Sequence, residues 1–342
     1  MKCNSSKIKP WQSELLNAIT DPKELFALLE LNEKELPAAY AATKLFPLKV
    51  PRSLVARIKK NDLEDPLLRQ ILPLGAENNE IPGYFDDPLL EAKFNPVPGL
   101  LHKYHSRVLL TLTGVCGVNC RYCFRRHFAY EDNNPGTAGW LKALQYIADD
   151  STISEVILSG GDPLVASDQT FKNLTEQLIT IPHIKRLRIH SRMPIILPKR
   201  ITSEWIDAIT TPSLKTILVT HCNHPQELNG EIKIAMKKLT AANIMLLNQT
   251  VLLKGINDNA DTLIALSEGL FSFGILPYYL HVLDKVQGAA HFDMPRETAQ
   301  RIHWNMMQRL SGYLVPKLVC EQPGAPSKLP IVSSDFYTAE KK

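Results

Sequence analysis

The sequence predicts an α/β fold: a partial, TIM-like barrel of six β-then-α units, with an N-terminal helical extension and a short C-terminal segment. Three observations carry this. From residue 105 onward, apolar strand-like runs alternate with stretches of helical spacing, six times over. Polar residues follow nearly every strand run, and barrels of this kind build their sites from the loops at the C-terminal strand ends. The first hundred or so residues lack the alternation and form a leader.

The expected division is 1–104 for the leader, 105–312 for the barrel and 313–342 for the last segment. In the leader, Trp11 to Ile19 and Pro22 to Leu31 have helical spacing, and Asp21-Pro22 suits a helix start. A further helical patch, Ser53 to Lys60, follows Pro51. Leu72 to Pro98 is rich in Pro, Gly, Asn and Asp and predicts a long loop, with nothing catalytic in it. The strand runs are Val108–Thr113, Glu155–Leu158, Arg186–His190, Thr216–Thr220, Met245–Val251 and Leu276–Val282. Between and after them, helices are expected at Trp140–Asp149, Thr170–Thr180, Ser203–Ile209, Glu231–Ala242, Asp261–Phe271 and Arg296–Leu310. A doubly wound sheet fits the same alternation; the polar strand ends favour the barrel. Tyr313 to Cys320 makes a short apolar segment.

Composition narrows the class. With 44% apolar and 22% charged residues among 342, the chain is that of an ordinary globular protein with a sizeable core. A net charge of +4 without long basic runs gives no case for nucleic acid. The first residues lack the apolar core of a signal peptide, and no run is long enough to cross a bilayer. Six cysteines without a secretory context speak against disulfides and for a reducing, cytoplasmic setting.

Half of those cysteines stand together. Cys116, Cys120 and Cys123 follow the first strand run at the spacing Cys-x3-Cys-x2-Cys. Three thiolates on a short loop suit a [4Fe–4S] cube that normally takes four, leaving one iron open. Zinc, with His127 nearby, is the other reading, but zinc sites usually come as two separated ligand pairs and no second pair follows. Further loops carry Ser159-Gly160-Gly161-Asp162-Pro163, His190-Ser191-Arg192, His221-Cys222-Asn223-His224, Asn248-Gln249 and His281-Val282-Leu283-Asp284. A lone polar residue after a strand is usually a cap; a series of them points to one shared pocket. Near the end, Lys328 stands in a Gly/Pro turn. It is an exposed loop residue or, if deprotonated beside a cofactor aldehyde, a Schiff-base lysine.

These blocks, in this order, resemble the lysine 2,3-aminomutase family, whose Cys spacing is the radical S-adenosylmethionine signature. The resemblance runs from about residue 95 to 330. It includes Phe124-Arg125-Arg126, Leu187 to Arg192, Leu247 to Leu253, Pro277-Tyr278-Tyr279, Gly288 to Phe292, and Pro323-Gly324 with Lys328 and Pro330. The leader block Phe46 to Arg52 and Pro98 to His105 are similar to the bacterial subgroup that makes (R)-β-lysine for elongation factor P.

The resemblance implies an isomerase that turns L-lysine into β-lysine with a [4Fe–4S] cluster, S-adenosylmethionine as source of a 5′-deoxyadenosyl radical, and pyridoxal 5′-phosphate. By it, Cys116, Cys120 and Cys123 ligate the cluster and Lys328 holds the pyridoxal aldehyde. Lys103 and Arg107 are expected at the phosphate; Arg188, Arg192 and Gln249 line the cofactor region. Gly160, Gly161, Asp162 and His221 are expected at S-adenosylmethionine. Arg125 would clamp the substrate carboxylate, a planar task suited to guanidinium, and Asp284 and Glu321 the ε-ammonium. A flavodoxin or ferredoxin donor, a link to elongation factor P and its lysyl ligase, and a homo-oligomer are also implied, with no nucleic acid or membrane partner. Related enzymes often have Asp where Glu321 stands, and Asn259 stands where larger relatives have a zinc cysteine, so no structural zinc is expected.

Overall fold

The computed structural model describes residues 8–130 and 136–332. Its centre is one nine-stranded sheet: β1 (Leu100–Tyr104), β2 (Arg107–Thr113), β3 (Glu155–Gly160), β4 (Arg186–Ser191), β5 (Lys215–His221), β6 (Met245–Val251), β7 (Leu276–His281), β8 (Lys317–Cys320) and β9 (Leu329–Pro330). The strands lie side by side in chain order. β2 through β8 run parallel, and β1 and β9 close the two edges antiparallel. Sequential order excludes the doubly wound alternative, in which strand order reverses at a switch point. Right-handed crossovers in one direction put the helices on one face, and the sheet curls around the other as an open barrel.

The six expected strands are present as β2 to β7. β8 adds a seventh parallel strand inside the segment read only as apolar; its four residues are too few to show a period. The expected boundaries at 104 and 312 both fall within reach of the sheet, since β1 ends at Tyr104 and β8 and β9 follow residue 312.

The strand pattern shows which face is the lumen. A parallel strand covered on both sides is apolar throughout. β4 instead alternates, with Leu187, Ile189 and Ser191 buried and Arg186, Arg188 and His190 partly exposed. β6 does the same, burying Leu246, Asn248 and Thr250. The concave face is therefore polar while the convex face packs on helices. The helix Asp168–Leu178 is typical: Ser167 caps its N-terminus by accepting from Thr170 N at 3.1 Å, and Phe171, Leu174 and Leu178 go to the core. It starts two residues ahead of the expected Thr170, because the cap and not the apolar period sets the start.

The leader differs more. Helices Pro10–Leu16 and Pro22–Leu29 match expectation, the second capped by Asp21. Ser53–Lys60 shrinks to a single turn, Arg52–Val55, and an unexpected helix spans Leu36–Leu45. That helix is rich in alanine, so it has high propensity but no strong apolar stripe to reveal it. Loop 72–98 has only short 3-10 turns, at Gly75–Asn78 and Glu91–Phe94. Trp11, Ile19, Leu25 and Phe26 belong to the same buried cluster as Ile147, Leu174 and Trp205 of the barrel. The buried Arg200 guanidinium lies 4.4 Å from the Trp11 ring. No helix among the described residues is long and apolar enough to cross a membrane.

Candidate active site

The cysteine loop leaves β2 at Thr113 and is held from both sides. Asn119 N donates to Lys49 O at 3.0 Å and Arg121 N to Gln70 O at 2.9 Å, so leader backbone covers one side. On the other, Gly161 N donates to Thr113 O and Asp162 N to Val115 O. A Cβ on Gly161 would come within 2.5 Å of Val115 O, and Gly160 has φ +109°. The paired glycines thus let one strand end press against the loop. Asp162 accepts from Ser191 Oγ at 2.6 Å and from the backbone N–H groups of Leu164, Arg192 and Met193 at 2.8–3.1 Å. Asp162 and Gly161 thus brace the strand end against the cysteine loop.

Cys116, Cys120 and Cys123 are all partly buried. Burial pushes the Cys116 thiol up, and Cys123 and Cys120 add to it, as befits sulfurs gathered at one place. Bound metal opposes that by stabilising thiolates. Among the described residues no three His, Cys, Asp or Glu side chains close on a single ion; a four-iron cube spreads its thiolates more widely than one ion does. Arg192 Nη1 donates to Cys120 Sγ at 2.8 Å, and its Nη2 reaches Gln70 and Glu227. Arg192, expected in the cofactor region, thus bonds directly to the cysteine loop. The donor set fits an iron–sulfur cluster.

Three arginines of this loop need carboxylates, and the leader supplies them. Glu77, itself buried, accepts from Arg121 at 2.8 and 2.5 Å and from Arg126 at 2.6 Å. Glu91 accepts from Arg125 Nε at 2.7 Å and Nη2 at 2.9 Å. Neither glutamate was singled out from sequence: an acid in a loop rich in Pro and Asn looks like surface. The signal was on the other side, in three arginines packed into a motif that has to be partly buried.

From Arg125 a line of ion pairs crosses to Lys328. Lys103 Nζ lies 2.9 Å from Glu91 and 3.2 Å from Glu321, whose other oxygen accepts from Lys328 Nζ at 2.5 Å. Two carboxylates thus hold the Lys103 ammonium between them. Arg107 stacks on Tyr104 at 4.7 Å. Burial raises Glu321, but Lys328 and Lys103 outweigh it and hold the carboxyl at about 2. Asp284 goes the other way: burial and then Glu321 push it up to about 7. Both acids line a cavity of about 770 Å³ with Tyr84, Leu89, Met294 and Ile331.

The lumen between these groups is lined by histidines. Gln249 Nε2 donates to His221 Nε2 at 2.8 Å, and the His221 ring lies 6.1 Å from that of His190. Burial, then Arg192 and Arg125, pull His221 down to about 3, so it is a neutral imidazole. Burial likewise lowers His190 and His281, and the Lys328 charge acts on both. Their Nε2 atoms are buried without a hydrogen-bond partner in the protein. Unpaired buried polar atoms on a lumen suit a ligand with polar edges, as a nucleoside or pyridoxal group has. Arg188, two residues before His190 on β4, pairs with Glu155 at 3.1 Å.

No family model matches the chain. Curated proteins do. An L-lysine 2,3-aminomutase of Escherichia coli is 49% identical over 329 residues, 96% of each chain, and one of Haemophilus influenzae is 49% identical over 93% of this chain and 94% of its own. The Clostridium subterminale L-lysine 2,3-aminomutase is 34% identical over 94% of this chain and 77% of its own. Among solved structures, a radical SAM methyltransferase from Sphaerobacter thermophilus overlaps 65% of this chain and 68% of its own, with a TM-score of 0.45 and 17% identity. Identity near one half over almost the whole length settles kinship: this chain belongs to the L-lysine 2,3-aminomutase family.

Proposed function

We propose that this enzyme converts L-lysine to (R)-β-lysine, and that the product serves the modification of elongation factor P. The observation that carries the catalytic part is the unbroken line of charges Arg125, Glu91, Lys103, Glu321 and Lys328. It joins an arginine two residues past Cys123 to an amine able to hold an aldehyde, across one lumen. A cluster with S-adenosylmethionine would supply a radical, and pyridoxal phosphate a carbonyl to carry the migrating nitrogen; acid–base chemistry alone moves nitrogen between saturated carbons poorly.

In this reading Cys116, Cys120 and Cys123 hold the cluster and Lys328 the pyridoxal group. Arg192 stabilises the Cys120 thiolate by donating to it. His221 and Gln249, one acting on the other, present polar edges to the nucleoside. Arg125 takes the lysine carboxylate while Asp284 and Glu321 take its ammonium, so the two ends measure the chain and disfavour shorter amino acids. The leader and the 84–89 segment exclude water from the cavity side.

Protein reconstituted anaerobically with iron, sulfide, pyridoxal phosphate, S-adenosylmethionine and a low-potential reductant should yield β-lysine from L-lysine. Chiral analysis should find the (R) form. Lys328→Ala should lose both turnover and the visible absorption of protein-bound pyridoxal. No β-lysine from the fully loaded wild type would reject the reaction. Comparing free lysine with elongation factor P as substrate tests the physiological link.

A further inference from the structure

Glu91 is a buried carboxylate that touches both halves of the proposed site, Arg125 on one side and Lys103 on the other. It is 2% exposed and starts a short 3-10 turn, where its N–H donates to Asp87 Oδ1 at 3.0 Å. The segment before it is pinned to the loop that carries Asp284. Phe85 N donates to Lys285 O at 2.9 Å, Gln287 N to Phe85 O at 3.1 Å, and Gln287 Nε2 to Ile81 O and Tyr84 O. Glu91 thus sits on a strap fixed to the site.

A donor count on Arg125 shows what Glu91 does there. Guanidinium has five N–H groups in a rigid fork. Glu91 takes the one on Nε and one on Nη2, and Ser159 Oγ takes one on Nη1 at 3.1 Å. One N–H is left on each terminal nitrogen, enough for one more bidentate carboxylate. Held along its side by Glu91, the plane of the fork cannot turn. The Glu91 oxygen shared with Arg125 Nη2 also receives Lys103 at 2.9 Å, and Lys103 reaches Glu321. The spacing between the two ends of the site is thereby fixed through a single carboxylate.

We propose that Glu91 is the positioning residue of the substrate-carboxylate clamp: it aims the two remaining N–H groups of Arg125 and, through Lys103, sets their distance from Glu321. The proposal rests on the reading of Arg125 as the carboxylate site. It predicts that Glu91 matters for ligands with a free carboxylate and little for those without one.

The test is a binding titration of the full chain loaded with cluster and pyridoxal phosphate, with S-adenosylmethionine withheld so that nothing turns over. L-lysine and L-lysinamide are added in turn, followed by calorimetry and the visible absorption of the bound cofactor. Wild type should prefer lysine. In Glu91→Gln the affinity for lysine should fall about tenfold, the loss expected when a charged hydrogen bond is removed, while that for lysinamide changes less than about twofold. Glu91→Asp, which keeps the charge on a shorter stem, should retain part of the preference. An equal loss for both ligands, or an unchanged ratio, overturns the inference. Should the Gln variant fail to fold, the Asp variant decides: a reduced ratio supports the role and a wild-type ratio overturns it. Wild type without any preference for lysine instead overturns the Arg125 reading, and the inference with it.

Discussion

Asp284 gives a prediction that needs no cofactor. Its carboxyl, ordinarily near 3.8, is pushed up to about 7 by burial and by Glu321. Between about pH 4 and 7 an unfolded chain has released a proton that the folded one keeps. Stability from this residue is therefore complete below about pH 4 and is lost as pH rises toward 7, then stays level. About three pH units correspond to roughly 4 kcal/mol. Asp284 also lines the cavity, whose water screens it, so about 2 kcal/mol is the better expectation. Asp284→Asn has the same shape and no charge to bury. Urea unfolding of the cofactor-free chain should find wild type and variant equal near pH 4, with the variant about 2 kcal/mol more stable at pH 8. A gap that does not change with pH, or a wild type that is the more stable at pH 8, would refute the reasoning.

Two further outcomes follow from the cysteine loop. Glu77→Gln removes the charge shared by Arg121 and Arg126, whose side chains are 0% and 1% exposed; breaking a buried pair this way costs about 3–5 kcal/mol, seen as a lower urea midpoint. Gly161→Ala sets a methyl against Val115 O; the loop must shift, and iron bound per chain after reconstitution should fall well below wild type while the circular dichroism of the fold is kept.

The repeating part of the fold could be read from sequence because its signals are local. Strand runs and helical spacing lie within a dozen residues of each other, and β2 to β7 appear where the pattern puts them. The cysteines stood out for a similar reason: few arrangements put three thiols in eight residues. Lys328 did not, since a lysine in a Gly/Pro turn is most often an exposed loop residue, and only the resemblance singled it out. What stayed hidden depends on pairs distant in sequence. Glu77 meets Arg121 across 44 positions and Glu91 meets Arg125 across 34. Nothing in the composition of loop 72–98 distinguishes a solvated acid from one waiting for a buried arginine. Asp162 is a similar case: its neighbours in sequence marked a loop, but its four donors, from Leu164, Ser191, Arg192 and Met193, come from residues as many as 31 positions away.

A count of partners explains why Asp284 differs from Glu321. Along the line from Arg125 to Lys328 the charges alternate, plus, minus, plus, minus, plus, and each acid has two cations beside it. Glu321 is therefore ionised well below neutral pH. Asp284 has no ion pair among the described residues, and a second carboxylate there would face Glu321 unbalanced, so it keeps its proton toward pH 7. An ammonium drawn between the two acids supplies the missing cation, and Asp284 can then release that proton to the cavity. Ammonium binding below pH 7 is thus an exchange of one cation for another. In the lysine titration this should appear as an affinity that rises with pH over the range where Asp284 still holds its proton and then levels, with protons released to the buffer over the rising part. Asp284→Asn should remove both the slope and the release; a slope that survives in the variant would place the titrating group elsewhere.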